Sequence, residues 1–475
     1  MRIWTLALAP TGLAIGALLA GGAHPAGDGG GKPALAAAAA PTYAKAVAPI
    51  LFDRCAACHR PGEAAPFALL NYSDAKRHGS EIAAVTKSRQ MPPWKAAGDC
   101  AYKDDLRLSD AQIATLQRWV AAGMPEGRAA DLPKAPQFGS GWPLGQPDLV
   151  LKMPKAFTVR AEGPDIYRTF VLPTNLTRDT WVRAIDFRPG ARSVVHHSLF
   201  FFETSGEARK RDGQDGQPGF NGGMGGGGRT GLDFLNGGKS GSGAGSLGGW
   251  ALGANPVALP DGLAYFVPKG ADILLSTHFH PSGKAEEEQS TIALYFAKRA
   301  PEREFTGVQL PPLFGALAGL DIPANTHDYK IEDDYTLPVD IKAFGVSGHA
   351  HYLAKEMRMT ATLPDGTTKT MLWIPDWDFS WQGQYIYRDY VPLPKGTKLH
   401  AVITYDNTSG NPRNPTSPPK RVRWGEQSTD EMGSVSLRLV AASDADLAAL
   451  QQDYRTHIQT AFLQRARARM QRPKE

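Results

Sequence analysis

Two thiols and an imidazole fall within five residues at Cys55-Ala-Ala-Cys58-His59. C-x-x-C-H is the spacing at which a c-type haem is attached. The two thiols form thioethers with the porphyrin vinyl groups, and the adjacent histidine binds the iron. One turn of chain brings all three to the ring. The chain has only three cysteines, and Cys100 has no partner once haem takes the other two. The competing reading is a disulfide or redox C-x-x-C with His59 incidental. A second axial ligand is expected from Gln90-Met91-Pro92-Pro93-Trp94, where Met91 sits in a proline-stiffened loop. Met124 and His78 are the other candidates, and a five-coordinate iron is the remaining possibility. His/Met ligation raises a haem potential and suits electron transfer.

The 12 histidines include three groups on short strand-like segments. These are His196-His197, His278-Phe279-His280 and His349-Ala350-His351. On a strand, residues i and i+2 face the same way, so H-x-H aims two imidazoles at one point. Neutral imidazole suits copper, zinc, iron or nickel, and an added thioether selects copper. Adjacent histidines normally point to opposite faces. His196 and His197 can therefore share a metal only if the strand twists or the rings use different nitrogens.

These pieces resemble the copper type II, ascorbate-dependent monooxygenases, the peptidylglycine α-hydroxylating and dopamine β-monooxygenases. Their motif order is matched by His196-His197, Trp250-Ala251 with Leu259-Pro260, Leu275-Ser276-Thr277-His278, His349-Ala350-His351 and Asp430-Glu431-Met432-Gly433. The resemblance spans roughly residues 148 to 442. It implies two jelly-roll domains, each with one copper, facing across a solvent-filled cleft. An electron-transfer copper would be held by His196, His197 and His278. An oxygen-activating copper would be held by His349, His351 and Met432. His280 has no role there and is either an outer-shell or a surface histidine. Ser347, Ser434 and Ser436 stand where the peptide-hydroxylating relatives bind a substrate carboxylate, which disfavours a peptidylglycine substrate. The disulfide cysteines of the animal enzymes are absent.

The resemblance implies hydroxylation of a C–H bond of an unidentified organic substrate by O₂. Two electrons come from an external donor, through haem c and the first copper. The alternative is a non-catalytic haem and copper redox or copper-binding protein.

The elements that must position these residues are legible in outline. Tyr43–Leu51, Ser73–Lys87 and Ser109–Ala122 read as helices. The last is announced by Ser109 with Gln112 three residues on. β-Branched and aromatic runs then recur between prolines and glycines. The first set is Ile166–Leu172, Trp181–Phe187, Val194–Phe202, Leu263–Val267, Asp272–His280 and Thr291–Phe296. The second is Ile341–Val346, Met357–Leu363, Lys369–Ile374, Gln384–Tyr390, Lys398–Tyr405 and Val435–Val440. Such spacing predicts β-sandwiches or jelly rolls. Leu447, Leu450, Tyr454, Ile458 and Phe462 predict a docked C-terminal helix.

The expected fold class is therefore multi-domain: an all-α cytochrome c domain, then two all-β jelly-roll or sandwich domains and a C-terminal helix. The expected boundaries are 1–40 for a signal peptide and low-complexity leader, 41–128 for the cytochrome c domain and 129–147 for a linker. The copper domains follow at 148–300 and 301–442, and the helix at 443–475. A glycine-rich stretch at 212–249 reads as a flexible insertion, since Asp233 stands where a phosphate loop needs its first glycine.

Arg2 followed by the apolar run Ile3–Ala20 reads as a secretory signal, so a periplasmic or secreted location is expected. A net charge of +5 with no basic block excludes a nucleic-acid binder. Past the signal nothing is long and apolar enough to span a membrane.

Overall fold

Strands such as Asp272–Phe279 and Gly433–Ala441 are buried on both faces, whereas others such as Thr180–Arg188 alternate. The computed structural model describes residues 40–61, 65–138, 141–222, 244–251, 254 and 256–470. The leader at 1–39, and residues 223–243 of the glycine-rich stretch, lie outside the described residues.

The first β region pairs a five-stranded antiparallel sheet with a four-stranded one. The five run in the order Phe220–Asn221, Ile166–Pro173, Asp272–Phe279, Val195–Glu203 and Ala244–Ala251. The four are Leu149–Lys152, Thr291–Phe296, Thr180–Arg188 and Tyr265–Val267. Phe170, Phe200, Ile273 and Leu275 from one sheet meet Val182, Phe187, Ile292 and Leu294 from the other. Both ends of the glycine-rich stretch are thus strands of the sheet that carries the first histidines.

The second β region repeats the device. Thr306–Leu310, Gly433–Ala441, Ile341–Ala350 and Gln384–Leu393 form one sheet. Thr326–Thr336, Lys398–Asn407, Ala354–Thr362 and Thr368–Ile374 form the other. Val346, Ala350, Met357, Ile403 and Leu437 fill the space between them. Phe344, Ile386 and Val440 belong to the core of the first region instead. One sheet therefore serves both cores, and the two regions are packed together through it.

The expected all-α cytochrome c domain is not there, and the multi-domain reading is corrected. From Pro41 to Glu475 the chain is one compact unit, mostly β. Within residues 41–128 the helices are short: Ala48–Arg54, Tyr72–Arg77, Gly79–Lys87 and Asp110–Ala121, after a π-helical turn at Tyr43–Val47. The extended stretch between the third and fourth of them joins the second β region. Tyr102 pairs with Tyr387, Lys103 N–H donates to the Ile386 carbonyl at 2.8 Å, and Arg388 N–H to that of Ala101 at 2.9 Å. Ala96 and Tyr102 are buried in the β core. Cys100 donates its thiol to the Thr370 carbonyl at 2.7 Å. The physical reason is burial. So few short helices cover only a small core of their own, and the segment's aromatic residues find a larger one in the neighbouring sheet.

Local signals did act where expected. Ser109 and Gln112 form a complete capping box. The final helix spans Asp444–Met470. Its Leu450, Tyr454 and Ile458 are buried in the second core, whereas Phe462 is 60% exposed, so the docked stripe ends before it.

Candidate metal centre

His196, His197 and His278 come together because the strand Val195–Glu203 carries a β-bulge. Val195 opposes Phe279 and His197 opposes His278, which leaves His196 as the extra residue. A bulge re-aims the side chain it adds. Two adjacent histidines can then face one point. Their Nδ1 atoms are 2.9 Å apart, the separation of two nitrogens each about 2.0 Å from a shared metal and roughly at right angles. One ligating nitrogen from each of the three residues lies within 4.8 Å of the others. The Nε2 of His196 is turned away, 3.3 Å from the Phe379 carbonyl.

His349 and His351 occupy the last turn of the ladder on Ile341–Ala350. Val346 and Ala350 face the core, so alternation sends Ser347, His349 and His351 the other way. Gly348 lets this strand lie close on Met357, since a Cβ would stand 2.7 Å from its sulfur. Gln382 Oε1 accepts from His349 Nδ1 at 2.7 Å. The His349 Nε2 is buried without a hydrogen-bond partner. The Asp430 carbonyl accepts from His351 Nδ1 at 3.2 Å, and Trp377 Nε1 donates to the His351 carbonyl at 3.0 Å.

Met432 is 1% exposed, and its backbone is tied to that of His351 through Glu431. The Glu431 carboxyl accepts from the backbone N–H of His351, of Met432 at 2.8 Å and of Leu353 at 2.8 Å. Burial pushes Glu431 up to about 8, against those same backbone donors.

The two histidine groups are not separated by a wide cleft. Ring centroids of His197 and His349 are 6.1 Å apart, against 4.8 Å for His197–His278 and 5.4 Å for His349–His351. Phe379 lies between the groups, stacked on His196 at 3.9 Å and 5.5 Å from His351. Burial drives the imidazoles of His196, His197 and His351 well below the usual histidine range and that of His349 down to about 4. Burial lowers His278 as well, and five neutral imidazoles in one buried volume, with an orphaned Nε2, fit a resident transition metal better than a self-satisfied core. Imidazole donors of this kind suit copper, zinc, iron or nickel.

A cavity of about 80 Å³ touches both groups, lined by His197, His349, Trp250, Phe314, Gln382 and Ser436 among others. Its lining includes Ser347, and no charged side chain. Ser434 lies opposite His349 in the ladder, and its buried hydroxyl also lacks a partner.

His278 is fixed from outside the trio. Its Nε2 is 3.0 Å from Asp165, and Tyr167 stacks on its ring at 4.3 Å. His280, at the strand end, is half exposed and donates Nδ1–H to Asp165 at 2.7 Å. Burial works to raise Asp165, but the His278 imidazole beside it and the hydrogen bonds from His280 and Ser428 hold it far below the carboxylate range. Asp165, Phe379 and Gln382 had no signal in the sequence. Each is a lone residue in a loop or strand end, placed by tertiary contact.

The C-x-x-C-H stretch caps the helix Ala48–Arg54. Cys58 N–H and His59 N–H both donate to the Cys55 carbonyl, at 3.1 and 2.9 Å, so one turn carries all three side chains. His59 Nδ1 donates to the Phe67 carbonyl at 3.1 Å, which leaves Nε2 as the nitrogen available to a ligand. Burial pushes the Cys55 thiol up to about 12. His78 stacks on the Phe67 ring at 3.7 Å. Met91 lines a cavity of about 350 Å³ with Trp94, Leu108 and Ile113, a wall that does not include Cys55, Cys58 or His59. Met124 packs in the core of the helical segment.

No known sequence family matches the chain, and no curated protein does. Among solved structures it is similar to PNGF-II, at 11% identity and a TM-score of 0.26, over 62% of this chain. It spans 64% of that protein, just under two thirds. It is also similar to PNGase F, a glycosylasparaginase from Flavobacterium meningosepticum, at 10% identity and 0.26, over 62% of this chain and 97% of that one. A third likeness is to the infectious bursal disease virus VP2 subviral particle, at 10% and 0.19, over 64% and 75%. Likenesses this weak have no bearing on the chemistry of the histidines.

Proposed function

We propose that this chain is a periplasmic or secreted copper-dependent monooxygenase that carries a covalent haem c. The observation that carries the reading is the meeting of the three histidine groups at one buried place. His196, His197 and His278 hold one copper, and His349, His351 and Met432 a second. Copper, when bound, supplies the one-electron chemistry and O₂ activation that side chains lack. The reaction consumes substrate C–H, O₂, two electrons and two protons, and yields C–OH and water. The electrons come from an external reductant or redox protein.

The chain's own residues bind and orient. Gln382 and the Asp430 carbonyl fix the His349 and His351 rings through Nδ1 and leave Nε2 for the metal. Trp250, Phe314 and Leu199 give the adjoining cavity an apolar wall, and Ser347, Ser436 and Gln384 an uncharged polar one. A small uncharged substrate suits that lining better than a carboxylate. Haem is held by Cys55, Cys58 and His59, with Met91 as the proposed sixth ligand. No helix among the described residues is long and apolar enough to cross a membrane.

A second reading has one observation in its favour. The cavity at the histidines, about 80 Å³, is well below the several hundred Å³ of an ordinary ligand pocket. That suits a non-catalytic haem and copper redox protein. The test is O₂ uptake by the reduced, copper-loaded protein against a panel of uncharged C–H substrates. Substrate-dependent uptake, abolished in His349→Ala, supports the monooxygenase. Two bound coppers with no substrate-dependent uptake support the redox protein. Failure to bind copper overturns both.

A further inference from the structure

Asp165 sits immediately before the strand Ile166–Pro173, and its side chain is 7% exposed. One carboxylate there touches both β regions. On the first side it meets His278 Nε2 at 3.0 Å and accepts from His280 Nδ1 at 2.7 Å. On the second it accepts from Ser428 N–H at 2.8 Å and from the Ser428 hydroxyl. Ser428 belongs to the loop that ends in Asp430, Glu431 and Met432. That loop holds His351 through the Asp430 carbonyl and through Glu431. Tyr167, two residues on and on the same face, repeats the bridge. Its ring stacks on His278 and its hydroxyl donates to the Glu426 carbonyl.

Among the described hydrogen bonds and ring contacts, Asp165 and Tyr167 each touch both His278 and that loop, whereas Phe379 and His349 meet the second histidine group at His351. A carboxylate behind a ligating imidazole fixes the ring's orientation and tautomer. A carboxylate that also holds the opposite loop fixes the distance between two groups of ligands.

We propose that Asp165 is a positioning residue that clamps the two histidine groups into a single composite metal centre, by tying His278 to the 426–432 loop. This rests on the copper reading above. With rings of the two groups 6.1 Å apart, Cu(II) ions bound to them are near enough for their spins to interact. Two ions facing across a wide cleft are not.

The test uses the full chain loaded with Cu(II), read by metal analysis and electron paramagnetic resonance. Wild type is expected to bind two coppers, to show a half-field transition, and to integrate to well under half of the bound copper as isolated spins. Asp165→Ala is expected to bind two coppers still, with the half-field signal lost and the isolated-spin signal rising at least twofold. Ser428→Ala, which leaves the Asp165–His278 contact in place, is expected to move the same way in smaller degree. A purely structural role for Asp165 would change stability without changing spin coupling at equal copper content. Two fully isolated spins in wild type would overturn the composite centre. Coupling retained in both variants would overturn the clamp.

A metal-free arm separates this from the copper reading. Amide exchange at residues 426–432 is expected to speed up about tenfold in Asp165→Ala and Ser428→Ala. Unchanged exchange overturns the clamp even in a protein that binds no copper. If Asp165→Ala does not fold, Ser428→Ala decides both arms.

Discussion

At His196 one extra residue in a ladder decides what two histidines can do. Without the bulge, His196 and His197 would face opposite sides of the sheet. With it, both point at His278. Keeping these rings neutral has a measurable consequence in the metal-free protein. An ordinary histidine takes up its proton near pH 6.5, whereas His349 does so at about 4 and His196, His197 and His351 lie well below the usual range. As pH falls below 6.5 the unfolded chain binds protons that the folded chain refuses. Stability is therefore full above about pH 6.5 and is lost as pH falls towards 4, by on the order of 2 kcal/mol per group displaced by two pH units. Urea midpoints of metal-free protein are expected to drop from pH 7.5 to pH 4.5. A flat profile would show that the rings are solvated. At the proposed haem site, Cys58→Ser should leave at most one thioether, and the double change Cys55→Ser, Cys58→Ser none. Haem that survives denaturing electrophoresis in the double variant would remove the attachment site from this turn.

The elements show why helical pattern alone misjudged the segment before residue 128. The Ser109 capping box formed as its sequence implies, but the helix expected over Ser73–Lys87 is two, broken at His78. The stretch between the helices has no period to read, and it supplies the strand-like bridge that ties them to the second β region. Tyr102 is 1% exposed, donates to the Met371 carbonyl at 3.2 Å and stacks on Tyr387 at 5.6 Å. Tyr102→Ala should destabilise the protein by about 3–5 kcal/mol, as truncation of a buried aromatic does. Thermal melting and fragment patterns in limited proteolysis check this together. A loss under 1 kcal/mol would mean the bridge is peripheral. Ser109→Ala is the milder control, at about 1 kcal/mol.

For the whole molecule, sharing of cores predicts cooperativity. Phe344, Ile386 and Val440 lie in the first β core although their strands belong to the second region, and Ala96 and Tyr102 join the second core from the helical segment. Calorimetry of the chain from residue 41 should give one transition. Residues 41–128 expressed alone should lack a cooperative melt, and the chain without them should expose the Tyr385 and Tyr387 surface and aggregate. Two well-separated transitions in the intact chain would restore an independent helical domain.

The sequence by itself determined the local elements and the identity of the metal-ligand candidates. Runs such as Thr291–Phe296 and Lys398–Tyr405 are strands because short apolar, β-branched and aromatic runs bounded by turn residues are a local property that packing reinforces. His349 and His351 share a face because period two requires it. Tertiary structure alone decided the rest. The bulge at His196 depends on which residue the neighbouring strand offers. The choice of Asp165, Phe379 and Gln382 as supports depends on chain segments more than 30 residues away in sequence. Separate domains were read where one compact unit stands, because burial is a property of the assembled surface. An extended stretch between short helices takes the nearest apolar face, and no pattern within the stretch says which face that is.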